Sequence, residues 1–461
     1  MSATQQLADF IVNAGFERIP ETALKTAREA ILDAIGVALA GAGEPASKIM
    51  TEYVRQAGGR RKGVAGVIAG GFRTAPSAAA LANGTLMHAL DYDDVAPDWL
   101  GHPTAPLLPV VLALGEAGLI SGKEALAAYI IGFEVESRVG RALGSQHYAV
   151  GWHATGTVGT MGAVAAAARL LRLDPDQTRN ALGIAASEAG GLRQNFGTMT
   201  KPFHAGNAAR NGVVAATLAQ KGFTADPNIL ESSFLKTLGG EGYSLAPITE
   251  GLGQGFAISA GVAIKPYPCC RLTHRCLDAA LYLAKTHHLS PEEVAGVECH
   301  TSDMLPQILI HHRPRAGAEG KFSMEYCVAT AILDGEVCLG HFTEKKVQHP
   351  RSQRFLEKVG YRHPEGQRGM AGLSQAEAVT IRLRNGRELR HQVLYAKGEP
   401  QNPLTHEELI AKFRGCASYS LSPEASQRCL ELVLGLEKLQ DIATLAEILV
   451  ARARGRRSRC A

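Results

Sequence analysis

Apolar residues recur at helical spacing through roughly the first 265 positions. In Pro20–Gly41, Leu24, Ala27, Ile31, Ile35 and Ala38 fall three or four residues apart on one face, which predicts an amphipathic helix. The same rhythm runs through TAPLLPVVLALGEAG and KEALAAYIIGFEVESRVGRAL. In TGTVGTMGAVAAAARLLRL (Thr155–Leu173), Gly156, Gly159 and Gly162 recur at every third position before alanines take over. An interior glycine costs a helix about 0.5–1 kcal/mol relative to alanine. A helix carrying three of them is therefore expected at the centre of a bundle, its smooth face against another backbone.

Near Lys265 the texture changes. KPYPCCRLTHRCLDAALYLAKTHHL opens with Pro266 and Pro268, which impose an extended segment and stop any helix. Thr273 is the expected N-cap of the helix that follows. VAGVECHT and AVTIRLRNGRELRHQVLYA alternate as strands do, and Asn385-Gly386 inside the second predicts a tight hairpin. FSMEYCVATAILDG between them is helical. NPLTHEELIAKFRGCA returns to helix, with Thr405 and Glu408 spaced as a capping box. The pattern predicts a mainly α protein: a helical domain built from residues 1–265 and 401–450, an α+β domain inserted at 266–400, and an Arg-rich disordered tail at 451–461.

Composition narrows the function classes. At 461 residues, two or three domains are expected, and 46% hydrophobic with 20% charged residues is ordinary for a soluble enzyme. Aromatics are only 6%, which favours closely packed helices over a β-sandwich. The net charge of +4 includes five arginines in the tail (Arg452, Arg454, Arg456, Arg457, Arg459), so the rest sums to −1. A near-neutral body argues against nucleic acid as a partner. No apolar run reaches the ~20 residues of a membrane span, and the N-terminus has no signal-peptide pattern. All nine cysteines lie at or after Cys269 without a C-x-x-C pair. That argues against a disulfide framework, a zinc ribbon or an iron–sulfur cluster, and for reduced thiols in the cytoplasm.

The chemistry is concentrated in HALDYDDVAPDWLGHP (His88–Pro103), which holds four aspartates and two histidines. Pro97, Gly101 and Pro103 break helical spacing, so this is a loop leaving a helix that ends near His88–Leu90. Asp94 and Asp98 read as caps and a solvated turn. The acidic run loosely resembles a magnesium box, but no second box follows downstream. Asp91 and His102 are better suited to moving protons, provided that cations share their pocket. A C–H beside a carboxylate becomes acidic only when the neighbouring negative charge is neutralised. Lys201 before Pro202 and Lys265 before Pro266 are expected on extended loop backbone, with Arg271 six residues beyond Lys265. His153 stands where a loop meets the Gly-rich helix.

Five blocks in order, HALDYDDV…GHPTAP, GWHATGTVGT, MTKPFHAGNAARNG, KPYPCCRLTH and FSMEYCVATAILDG, resemble the MmgE/PrpD family across about residues 5–450. That family includes 2-methylcitrate dehydratase, cis-aconitate decarboxylase and iminodisuccinate epimerase. The resemblance implies a large helical domain from both chain ends, a smaller α+β lid in the middle, a homodimer, and no metal or organic cofactor. Matched position by position, it implies Asp91, His102, His153 and Tyr326 as catalytic groups and Lys201 and Lys265 as the lysines of the site. Arg271 joins them as a candidate substrate-binding residue. Two positions depart from the decarboxylases, which carry threonine at Val95 and histidine at Cys270. The function expected on this footing is a 2-methylcitrate dehydratase-like lyase acting on a small di- or tricarboxylic acid. An epimerase, a decarboxylase and a carboxylate-binding protein without catalysis are the alternatives.

Overall fold

The computed structural model describes residues 1–57, 63–96, 98–365 and 372–451. Pro97 and the Arg-rich tail from Arg452 onward lie outside the described residues. The fold is mainly α. By contacts the chain forms two compact units, one taking Met1–Gln194, Met199–Ile264 and the chain from Thr405, the other taking Asn195–Thr198 and Lys265–Leu404.

Among the described residues, the regular structure of the first unit is helical apart from the two-residue strands Ala65–Gly66 and Arg73–Thr74. Its principal helices are α1 (Glu21–Gly41), α2 (Pro76–His88), α3 (Thr104–Gly118), α4 (Gly122–Ala149), α5 (Ala154–Leu170) and α6 (Thr200–Gln220). The predicted stripe of α1 is buried, and Gly36 lets the helix His406–Ala417 approach it, its absent Cβ falling 3.2 Å from the Phe413 ring. The Gly-rich helix α5 is buried at all but one position, Arg169. A Cβ on Gly156 would lie 2.2 Å from the Gly190 carbonyl oxygen, which is the backbone approach that its small residues predict.

Helix α6 corrects one expectation. Lys201 is not on extended backbone; the helix starts at Thr200 and carries Pro202 in its first turn. The first N–H groups of a helix have no intrahelical partner, so proline is accepted there without losing a hydrogen bond. Lys201 and His204 consequently stand one turn apart on the same helix.

The second unit carries a four-stranded sheet. Strands β1 (Val294–His300), β2 (Val359–Arg362), β3 (Glu377–Leu383) and β4 (Glu388–Val393) are ordered β2-β1-β3-β4, with only β1–β2 parallel. The β3–β4 hairpin turns at Asn385-Gly386, where Gly386 takes φ 85°. Helices α7 (His274–Thr286) and α8 (Met324–Asp334) complete this unit. Thr273 immediately precedes α7, but its hydroxyl donates to the Cys270 carbonyl, so it does not cap the helix through its side chain. The Thr405–Glu408 capping box forms reciprocally, at 2.7 and 3.2 Å.

Candidate active site

Four segments of the first unit converge on one buried cluster: the end of α2, the loop after it, the start of α5 and the first turn of α6. His88 is the last residue of α2. The chain then reverses through Asp91, which adopts a left-handed φ of 51°. Aspartate tolerates that conformation better than most residues with a Cβ.

Lys201 is the centre of the cluster. Its Nζ donates to Asp91 Oδ1 at 2.6 Å and to His88 Nε2 at 2.8 Å, and all three residues are buried. On the opposite edge of the His88 ring, Nδ1 meets Asp93 Oδ2 at 2.8 Å. The same oxygen lies 3.1 Å from His102 Nδ1, an ion-pair distance that is poorly aligned for a hydrogen bond. His102 Nε2 stands 3.8 Å from Asp91 Oδ1, and the His102 backbone N–H donates to Thr155 Oγ1 at 3.0 Å. His153 occupies the N-cap position of α5 without capping by its side chain. Its Nδ1 instead meets His204 Nδ1 at 2.9 Å, and its ring stacks 5.6 Å from His88.

Burial and charge set the protonation of these groups. Burial lowers the pKa of His88, and the Lys201 cation adds to the effect, against an opposing pull from Asp93. Burial, then Lys201, holds His153 well below the ordinary histidine range, and His204 is pushed down to about 4, chiefly by burial. These three rings are therefore neutral at pH 7. Burial pushes Asp93 up, but His102 and His88 more than offset it and keep the carboxyl well below the usual range.

Asp94 is not in the solvated turn expected of it. Asp93 and Asp94 are fully buried. Asp94 accepts from the Thr104 hydroxyl at 2.5 Å and from the Thr104 N–H at 3.3 Å, at the start of α3. That segment contains Pro103 and Pro106, neither of which offers an N–H. Burial pushes the Asp94 carboxyl well above its ordinary value. Asp98 does stay half exposed, 3.8 Å from Arg141.

Asp91, His102, His153 and Lys201 are thus brought together within the first unit. The other three candidates belong to the second. Lys265 is buried. Arg271 pairs with Glu399 at 2.7 Å, so its guanidinium already has a carboxylate. The Tyr326 hydroxyl donates to the His341 carbonyl at 2.5 Å, and burial raises its pKa beyond the ordinary tyrosine value. Sequence reasoning passed over His88, Asp93 and His204. The i, i+3 relation of Lys201 and His204 was a usable signal once a helix was placed there; His88 and Asp93 had only their proximity to Asp91.

By composition, His88, Asp91, Asp93 and His102 are suited to a divalent cation, their ligand atoms lying within 4.8 Å of one another. The Lys201 ammonium already stands on two of the four, so a metal at this point would have to displace it.

Buried neutral imidazoles around one ammonium and two carboxylates in a mainly helical fold are suited to acid–base chemistry. The chain belongs to the MmgE/PrpD family: the family's N-terminal domain profile matches residues 5–240 and its C-terminal domain profile residues 267–438. It is similar to cis-aconitate decarboxylases from Aspergillus terreus (30% identical, covering 97% of this chain and 95% of that one) and Mus musculus (29%, covering 97% and 93%). The Homo sapiens cis-aconitate decarboxylase is 28% identical over 97% of this chain and 94% of its own. No helix among the described residues is long and apolar enough to cross a membrane.

Proposed function

We propose that the protein is a lyase for a small tricarboxylic acid of the cis-aconitate type, exchanging a proton at a carbon beside a carboxylate. The observation that carries this reading is the Lys201 ammonium held by Asp91 and His88 next to His102, the ring of the cluster with the most exposed side chain at 11%. His102 is the group that moves the proton, Lys201 offsets the negative charge of the substrate, and Asp91 orients both. His153 completes the proposed site of the first unit; Lys265, Arg271 and Tyr326 are candidate substrate-handling residues of the second, Arg271 and Tyr326 on condition that a substrate replaces their present partners. Assembly as a homodimer belongs to the same proposal.

Decarboxylation is placed ahead of the 2-methylcitrate dehydration that the sequence first suggested, because relatives named cis-aconitate decarboxylases align over 97% of the chain. In that reaction the carbon–carboxylate bond breaks and its electron pair forms a new double bond. The pair of the old double bond takes up a proton at the carbon beside a remaining carboxylate. Carbon dioxide leaves, and no oxidant is required. Dehydration remains the second reading, favoured by Val95 and Cys270, the two positions that depart from the decarboxylase pattern. It uses the same proton position in the opposite direction. Incubation with cis-aconitate and with 2-methylcitrate, followed by carbon dioxide release and by NMR of the products, tests the choice. Carbon dioxide from cis-aconitate supports the first reading; an unsaturated acid from 2-methylcitrate with no carbon dioxide supports the second.

A further inference from the structure

Asp93 is fully buried, and one of its oxygens, Oδ2, faces two imidazoles: Nδ1 of His88 at 2.8 Å and Nδ1 of His102 at 3.1 Å. An ionised carboxylate only accepts hydrogen bonds, and the two histidines keep Asp93 ionised. Each ring is therefore driven to carry a proton on Nδ1. In a neutral imidazole that makes the other nitrogen an acceptor. His88 meets this requirement, since its Nε2 receives the Lys201 ammonium at 2.8 Å. The His102 contact has an ordinary length but is poorly aligned, a common condition of catalytic hydrogen bonds before substrate tightens them.

We propose that Asp93 is a positioning residue: by fixing the Nδ1–H tautomer of both His88 and His102, it makes His102 Nε2 the atom that takes up and hands over the proton, and it anchors the Lys201 ammonium through His88. One buried carboxylate thus sets the base and the cation of the site together. The proposal rests on the acid–base reading above. Leucine at this position is similar in size but offers no acceptor, so neither ring is held as an Nδ1–H donor; an asparagine carbonyl, with two lone pairs, would still accept from both.

The test is nitrogen-15 NMR of histidine-labelled full-length protein, assigned with His88→Gln and His102→Gln, alongside kinetics. Wild type is expected to show both rings as the Nδ1–H tautomer, and Asp93→Leu, which removes the acceptor, to convert at least one to Nε2–H. Asp93→Leu is expected to lower kcat by about 10²–10⁴-fold while KM changes by no more than about threefold. Asp93→Glu, which keeps the carboxylate, is expected to retain both tautomers and recover part of kcat. An Nε2–H tautomer of His102 in wild type, or an Asp93→Leu protein with both tautomers unchanged, overturns the proposal. The wild-type spectrum decides even where the variant fails to fold. If no polycarboxylate is turned over but the tautomers respond as stated, the positioning assignment stands and the lyase reading falls.

Discussion

Lys201 carries the electrostatics of the cluster. It is buried on Asp91 and His88, so removing it would strand the Asp91 carboxylate away from water. A surface lysine could be replaced without harm to the fold, but breaking a buried pair typically costs about 3–5 kcal/mol. Lys201→Met should therefore lower the urea midpoint sharply, and adding Asp91→Asn should restore much of it, because the stranded charge goes too. Equal midpoints for single and double variants would place Asp91 outside the pair. The imidazoles make a second prediction. His204 has its pKa pushed down to about 4 in the folded protein, against an ordinary value near 6.5. A depressed histidine contributes stability in full above the unfolded value and loses it as pH falls toward the folded one. Thermal stability should drop between pH 6.5 and about 4, and His204→Gln should flatten part of that slope. Asp91, His102, His153 and Lys201 were legible as candidates from residue type and the family resemblance, although the extended setting expected of Lys201 was wrong. Asp93 was not, because its role lies in burial and in the two rings that it faces, neither of which residue spacing encodes.

At the scale of elements, the site depends on how closely α2 and α6 approach, since one ends in His88 and the other begins with Lys201. Gly206 permits that approach: a Cβ there would lie 2.2 Å from the Leu81 carbonyl oxygen and 2.4 Å from Thr85 Oγ1. Gly206→Ala must push the two helices apart, with an expected cost of about 1–3 kcal/mol and a loss of activity larger than the stability change explains. Calorimetry and kinetics on the same sample check both; a variant of wild-type stability and activity would show that the contact yields. Patterns that local chemistry dictates were readable: the stripe of α1, the Asn385-Gly386 hairpin and the Thr405–Glu408 capping box. Pro202 misled because a proline ends a helix from within but is compatible with its first turn, and only the position of the start distinguishes the two. Thr273 takes the predicted N-cap position but does not cap with its side chain. A threonine before a helix also satisfies its hydroxyl on a local carbonyl, here that of Cys270.

At the scale of the whole molecule, ordered sequence blocks and the matched family domains span most of the chain, and both units contribute candidate residues. Family membership was legible because blocks such as HALDYDDV and MTKPFHAGN correspond to the buried cluster of the first unit. The reaction was less legible. Decarboxylation and dehydration share a proton position beside a carboxylate and differ in which bond gives up its electrons, a distinction that Val95 and Cys270 do not decide by residue type. The most direct measurement is therefore turnover of cis-aconitate in deuterium oxide, followed by proton and carbon NMR, with wild type and His102→Gln side by side. The account predicts a decarboxylated product from wild type with one deuterium on the carbon beside a carboxylate, and a rate about 10²–10⁴-fold lower from His102→Gln. Unchanged cis-aconitate with no deuterium incorporated, or equal rates from the two proteins, would contradict it.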